Sequence, residues 1–349
     1  VDELKSLGRY KIQGVLGKGA MGLVYDGLDP NLGRRVAIKT ILTRKLDPEA
    51  ARMISVRFER EVRAVARLNH RNIVQVYDFG TEGDLAYIVM EYIQGKELQD
   101  YFEAKHQFDV KTVFRIMLEL LDALEFAHEA GIIHRDIKPA NVMVDAGGHA
   151  KLTDFGVARV ADSDAPQAEA TRVGTMVGTP SYMSPEQIQG LTLDRRTDVF
   201  SAGIIFYQFL TGRKPFEGTQ FALQQKIVME NPVWPSAIVQ VPPEFDRVVA
   251  RALAKDVEQR YQSARSFADA LKRILAGKPP EDPDEVLAKP LPATPSPGAQ
   301  GSEAETEFWD EVKGSDDPED LKLYIEQFPH GVFVAEAKRK IAALGGGGD

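Results

Sequence analysis

The most constraining feature of this chain is a change of local pattern near residue 97. Before it, "YKIQGVLG", "GLVYDGLD", "RRVAIKTIL", "NIVQVYDFG" and "LAYIVMEYI" are β-rich runs. "DPNLG" reads as a hairpin turn between the second and third, and "TEGD" joins the last two. One helix interrupts them, expected from about Asp47, an N-cap with Pro48 at the first helical position, to about Leu68. After the change, helices dominate. "DVKTVFRIMLELLDALEFAHEAG" sets Val113, Met117, Leu120, Leu121 and Leu124 on one stripe, with Asp109 as its cap and Gly131 as its stop. Further helices are expected at about 195–211 (ended by Gly212), 219–230, 243–254 and 264–276. A β-rich start followed by a helical remainder predicts two lobes with a cleft between them.

The 349 residues suffice for one large or two ordinary domains, and 43% apolar with 27% charged residues is a globular composition. The absence of cysteine excludes disulfides, thiolate catalysis and Cys-ligated zinc, and fits a reducing, cytoplasmic location. A net charge of −9 argues against a nucleic-acid surface. "VDELKSLGRY" has no apolar region of a secretory signal. "VFSAGIIFYQFL" (199–210) is too short for a bilayer span and reads as a buried core helix. The first residue is Val1 rather than Met, as expected of a fragment, outside which a membrane anchor can still lie.

Several motifs carry chemistry. "GKGAMG" (Gly17, Gly19, Gly22) fits G-x-G-x-x-G. A dinucleotide site needs a helix directly after such glycines, whereas β-prone "LVYDGLD" follows here. That leaves a flap whose backbone N–H groups approach phosphates, or a plain hairpin. "VAIK" puts Lys39 among apolar neighbours, where it needs an anionic partner unless it lies on the polar face of an edge strand. Glu61, in "RFEREVRAVARL", is either that partner or part of a solvated helix face. "HRDIKPAN" (134–141) follows an apolar helix and precedes the strand "VMV", and "DFG" (154–156) follows "AKLT". "MSPE" (183–186) and "DVFSAG" (198–203) come next.

In this combination and order the chain resembles the eukaryotic-like (Hanks-type) serine/threonine protein kinases over about residues 9–276. "VGTPSYMSPEQ" and "LNHRNIVQVYDFG" look closest to the bacterial branch. The resemblance implies an α+β, bilobal fold: an antiparallel sheet with one helix at about 9–92, then a mainly helical lobe at about 93–276. It implies transfer of the γ-phosphoryl group of ATP, with Mg2+ or Mn2+, to Ser and Thr hydroxyls of protein substrates. Such transfer offers little covalent work, so positioning and charge neutralisation dominate. On this resemblance Asn141 and Asp154 hold the metal, and Lys39, held by Glu61, meets the α- and β-phosphates. Asp136 orients the hydroxyl and accepts its proton, and Lys138 steadies the transferring phosphate. Leu16, Gly17, Gly19 and Gly22 cover the nucleotide. Val24, Ala37 and Met143 sandwich the adenine, Met90 backs the pocket, and the backbone of Glu91 and Ile93 bonds to the base. His134, Asp198 and Phe155 read as scaffold, and Glu186 with Arg260 as a buried ion pair. A pseudokinase, a nucleotide-binding scaffold without transfer, is the alternative from another class.

The three threonines of "EATRVGTMVGTPSYMSPE" separate within this frame. Thr179 is expected to bond toward Asp136 and Lys138 and line the substrate groove. Thr171 and Thr175 are candidate autophosphorylation sites whose phosphate could pair with Arg135. Residues 1–8 read as an N-terminal tail, and 277–304, rich in Pro, Gly, Ser and acidic residues, as a linker. Residues 305–344 resemble tetratricopeptide-like helical hairpins, with Phe308, Trp309, Leu321, Tyr324, Ile325 and Phe328 as the apolar face. That unit either packs on itself or on the kinase, or binds a protein partner; residues 345–349 form a Gly-rich end.

Overall fold

A computed structural model describes residues 4–18, 22–42, 59–83, 85–155, 180–280, 309–310, 312–313, 318–328, 333–334, 337 and 340–341. The chain divides into two compact units, Val1–Pro292 and Ala293–Asp349. The first is bilobal.

Its amino-terminal lobe is a six-stranded antiparallel sheet, ordered β1-β2-β3-β4-β6-β5. The strands are β1 (Ser6–Leu7), β2 (Tyr10–Lys18), β3 (Leu23–Asp29), β4 (Arg34–Leu42), β5 (Val76–Glu82) and β6 (Leu85–Glu91). Alternation along β4 assigns its two faces. Val36 and Ile38 are buried with Leu7, Tyr10, Tyr87 and Val89, while Ile41, on the face of Lys39, packs with Val62, Ala86 and Ile88. Val62 belongs to helix α1, described over 59–65, so α1 covers the lysine-bearing face. The expected start of that helix, Asp47 and Pro48, lies outside the described residues. The hairpin turn forms as read: Asp29 Oδ1 accepts from the N–H groups of Asn31 and Leu32, and Gly33 takes a left-handed φ of 62°. At Gly22 the reason for glycine is steric, because a Cβ there would stand 2.0 Å from the Thr40 carbonyl oxygen.

The second lobe opens with β7 (Gly95–Glu97) and α2 (Leu98–Glu103), neither anticipated from sequence. Helix α3 (Val110–Glu129) begins as read, with the Asp109 carboxylate accepting from Thr112 N–H at 3.0 Å, and it buries Val113, Met117, Leu120, Leu121 and Leu124. Strands β8 (Val142–Asp145) and β9 (Ala150–Leu152) pair with β7 in a small sheet ordered β7-β8-β9. The short α4 (Pro185–Ile188) precedes α5 (Arg196–Thr211), α6 (Gln220–Met229), α7 (Glu244–Ala252) and α8 (Ala264–Leu275). Helix α5 is buried all round from Thr197 to Gln208, which is why "VFSAGIIFYQFL" shows no polar face. Phe206 meets Phe114, Phe245 and Phe267 ring to ring, and a Cβ on Gly203 would come within 2.8 Å of the Ala252 methyl. Among the described residues no helix is long and apolar enough to cross a membrane.

In the second unit, α9 (Pro318–Gln327) carries Leu321 and Tyr324 into a cluster with Trp309 and Ala337. Ile325 and Phe328 pack against it, and the Trp309 and Phe333 rings stack at 5.1 Å. Five of the six residues read as its apolar face thus turn on one another, while Phe308 lies outside the described residues.

Glu186 of α4 and Arg260 are both buried and bonded at 2.8 Å and 3.2 Å. Thr197 Oγ1 also donates to Glu186, and Arg260 donates to the carbonyls of Ala254 and Arg196. Burial pushes the Glu186 carboxyl up, but the bond and charge of Arg260 outweigh it and hold the carboxyl below its usual range. Arg260→Met should cost about 3–5 kcal/mol by stranding a buried carboxylate. Because Glu186 titrates lower folded than unfolded, the pair's contribution is complete above about pH 4.3 and declines as pH falls through the folded value. Urea unfolding followed by tryptophan fluorescence should show the gap between parent and variant narrowing in that acid range.

Candidate active site

The residues between α3 and β8 form a loop held mostly by buried groups. Asp198, on the first turn of α5, is fully buried and accepts from the N–H of His134 and of Arg135, each at 2.8 Å. His128, near the end of α3, reaches the same carboxylate through Nε2 at 2.8 Å. Among the described residues its Nδ1 is buried without a partner, so Nε2 is the ring nitrogen that the carboxylate meets. His134 is fully buried; its Nδ1 accepts from the Asp136 N–H at 3.2 Å, so its Nε2–H donates to the Thr153 carbonyl at 2.8 Å. The ring also packs against Phe155, 4.7 Å between centroids. One histidine thereby joins the loop of Asp136 to the segment of Asp154.

Two backbone conformations mark the centre. Arg135 has φ 65° and Asp154 φ 63°, left-handed values that cost non-glycine residues on the order of 1–3 kcal/mol and persist only where surroundings enforce them. The enforcement at Arg135 comes from Asp198.

Asp136 keeps 45% of its side chain exposed, facing solvent. Its Oδ2 accepts from Lys138 Nζ at 2.7 Å and from Asn141 Nδ2 at 3.0 Å. The Asn141 amide nitrogen also donates to the Asp136 carbonyl at 2.7 Å, which commits that end and leaves Oδ1 as the acceptor end of the amide. The Asn141 carbonyl accepts from Thr153 N–H, placing Asn141 against the segment of Asp154. Lys39 lies opposite Val24 and Ile88 in the sheet, and its Nζ is 2.7 Å from Asp154 Oδ2. Glu61, half-buried on α1, precedes Val62, which packs under β4.

The residues read as lining the adenine come from both lobes. Ala37 is buried and opposite Met90 in the sheet, and Met143 lies on β8 between Glu97 and Lys151. Leu16 is 43% exposed on β2, and a Cβ on Gly17 would meet open space. The Glu91 N–H is committed to the Gln75 carbonyl at 2.8 Å, so an adenine contact at Glu91 falls to its carbonyl. Ile93 lies two residues beyond the end of β6, half-buried. Gly19, Thr171, Thr175 and Thr179 lie outside the described residues.

Three groups escaped sequence reasoning. Lys151 of β9 bonds both carboxylate oxygens of Glu91, at 2.9 and 3.0 Å, and Glu91 Oε2 accepts from Gln75 N–H. The Gln75 amide reaches back to the Ala66 carbonyl behind α1. This latch ties β6, α1 and the strand leading to Asp154 at one point. Glu97 is held above its usual range by partial desolvation first, then by Asp100 and Asp154, with Lys39 opposing. The third is His128. Its only sequence signal was a histidine at the polar end of an apolar helix, six residues before His134.

The family of the protein kinase domain matches residues 10–273. The chain belongs to it. Among curated proteins it is similar to the probable serine/threonine-protein kinase PknB of Bifidobacterium longum, 41% identical over 284 residues, 78% of this chain and 40% of that protein. It is also similar to the serine/threonine-protein kinases PknB of Mycobacterium leprae and Mycobacterium tuberculosis, 39% and 40% identical, each over 79% of this chain and 44% of the relative. The chain therefore spans less than half the length of these relatives.

Lys151→Met, which opens the latch beside Met143 and Glu91, should weaken ADP binding several-fold in a direct titration, whereas Lys151→Arg should bind as the parent does.

Proposed function

We propose that this chain transfers the γ-phosphoryl group of ATP to Ser and Thr hydroxyls of proteins. The observation that carries the reading is the exposed Asp136 carboxylate, fixed between Lys138 and Asn141 on a loop braced by Asp198, beside the ion pair of Lys39 and Asp154. The relatives' names, all serine/threonine-protein kinases, support the same class.

Asp154 and the acceptor end of Asn141 supply hard oxygen donors, the chemistry Mg2+ or Mn2+ requires. Among the described residues no cluster of three or more His, Asp or Glu side chains could hold a metal. A divalent ion held by these two residues would need further oxygen ligands from outside the chain, as Mg2+ takes from substrate phosphates and water at phosphoryl-transfer sites. When bound, it neutralises charge on the phosphate oxygens. The chain's own residues do the rest. Lys39 exchanges part of its contact with Asp154 for the α- and β-phosphates, with Glu61 on α1 as its second carboxylate. Gly17, Gly19 and Gly22 let the β2–β3 turn approach the phosphates. Val24, Ala37, Met90 and Met143 hold the base, and the carbonyl of Glu91 and the backbone of Ile93 orient it.

Asp136 accepts the proton of the substrate hydroxyl as its oxygen bonds to the γ-phosphorus. The bond from that phosphorus to the bridging oxygen breaks, and ADP keeps the electron pair. Lys138, already on the Asp136 carboxylate, stabilises charge on the phosphoryl group in flight.

The Arg135 side chain is exposed directly beside Asp136, on a backbone that is already held. A phosphate on Thr171 or Thr175 would find there a guanidinium that orders the loop without moving the catalytic residues, so activation follows autophosphorylation. Thr179 belongs to the substrate groove.

With labelled ATP, Mg2+ and a generic protein substrate, Asp136→Asn should lose transfer by roughly 10²–10⁴-fold while binding nucleotide within about twofold of the parent. Equal turnover in the variant would remove the base, and an inactive parent that binds ATP would favour a scaffold. Intact-mass and peptide mapping after incubation with Mg-ATP should place phosphate on Thr171 or Thr175. A double Thr→Ala variant that activates itself like the parent would contradict the switch.

A further inference from the structure

The Arg135–Asp136 peptide is gripped from a third direction. Ser184 caps α4: its Oγ accepts from the Gln187 N–H at 3.3 Å, and Gln187 Oε1 accepts from the Ser184 N–H at 3.0 Å. A glutamine in such a capping box ordinarily spends its amide nitrogen on solvent. Here Gln187 is buried, and its Nε2 donates to the Arg135 carbonyl at 2.7 Å, 52 residues away in sequence. The two ends of one amide thus serve backbone groups in two segments, the cap of α4 and the loop before Asp136.

The consequence lies in the geometry of a single peptide plane. Its carbonyl is held by Gln187 and its N–H, that of Asp136, by His134 Nδ1. The N–H of Arg135 one step back is held by Asp198, at a residue with left-handed φ. A planar peptide held at both its oxygen and its nitrogen fixes the N–Cα bond of Asp136, the axis from which its side chain springs, while Lys138 and Asn141 hold the carboxylate at the other end. The donor is itself rigid, since the preceding residue, Glu186, is locked to buried Arg260.

We propose that Gln187 is a positioning residue for Asp136, orienting its carboxylate through the Arg135–Asp136 peptide. The proposal rests on the reading of Asp136 as the acceptor of the substrate proton. The side chain at 187 must accept from Ser184 and donate to Arg135 at once. A carboxylate at 187 keeps the acceptor for Ser184 but sets a second oxygen lone pair against the Arg135 carbonyl. It becomes a donor again only when protonated.

Gln187→Glu is therefore a titratable probe, and Gln187→Met keeps the volume while losing both bonds. At pH 8 both should lose kcat by roughly ten- to a hundredfold, the scale on which small misplacements of a catalytic group act. KM for ATP should stay within about twofold, because the nucleotide residues lie elsewhere. The ratio of kcat for Gln187→Glu to that of the parent should rise as pH is lowered from 8 to 6, whereas the ratio for Gln187→Met should stay flat. Hydrogen exchange across residues 132–141 should quicken in Gln187→Met, a readout that needs no turnover and that decides the matter if the Glu variant does not fold. Parent-like kcat in both variants, a flat ratio for Gln187→Glu, unchanged exchange, or a loss shared equally by kcat and ATP binding would each overturn the proposal. If Asp136→Asn is inactive while the Gln187 variants are normal, only this inference fails. If Asp136→Asn is as active as the parent, the reading beneath it fails too.

Discussion

The interaction on which the rest depends is the burial of the Asp198 carboxylate in the second lobe. A lone carboxylate taken out of water there costs several kcal/mol, so the fold must bring donors to it. It brings three: the backbone N–H groups of His134 and Arg135 and the ring of His128. Because α5 is buried on every side, this acceptor cannot shift to suit the loop, and the loop must suit it. The left-handed backbone of Arg135 follows, and with it the emergence of Asp136 toward solvent between buried His134 and buried Ile137.

From that anchor, order spreads outward through groups that each join two segments. His134 links the loop to Thr153, and Asn141 links it to both Asp136 and Thr153. Asp154 then meets Lys39 across the cleft, and Lys151, three residues earlier, fastens the same strand to Glu91. On the far side, Glu186 and Arg260 hold α4, from which Gln187 reaches the Arg135 carbonyl. Asp136, Lys138 and Asn141 are therefore each one bond from a buried or doubly bonded neighbour. Such pre-organisation suits a reaction in which positioning and charge neutralisation do most of the work.

Much of this was legible beforehand, for local reasons. The β-rich start, the Asp29 turn, the Asp109 cap and the Gly212 stop are short-range events written in propensity and capping chemistry. The placing of Lys39 on the face covered by Val62 follows from strand alternation together with the apolar stripe of α1. What escaped reading was contact between segments far apart in the chain. His128 and Asp198 stand 70 residues apart, Glu91 and Lys151 60, and Arg135 and Gln187 52. None of these pairs has a periodicity or spacing that announces it. Strand β7 and helix α2 were missed for a related reason: "GKELQDYFE" has no strong period, and its strand exists because β8 lies alongside.

The sequence by itself determined the order of elements and the two-lobed plan, because residue type and local pattern decide those, while it pointed to the side chains proposed for phosphoryl transfer through resemblance to a family. Tertiary structure alone decided the partners: that Lys39 answers Asp154, that Asp198 bends the Arg135 backbone, and that a capping glutamine spends its second end on the loop before Asp136. The physical reason is that a buried polar group must find a partner wherever the fold places one, and a linear pattern carries no record of which distant segment that will be.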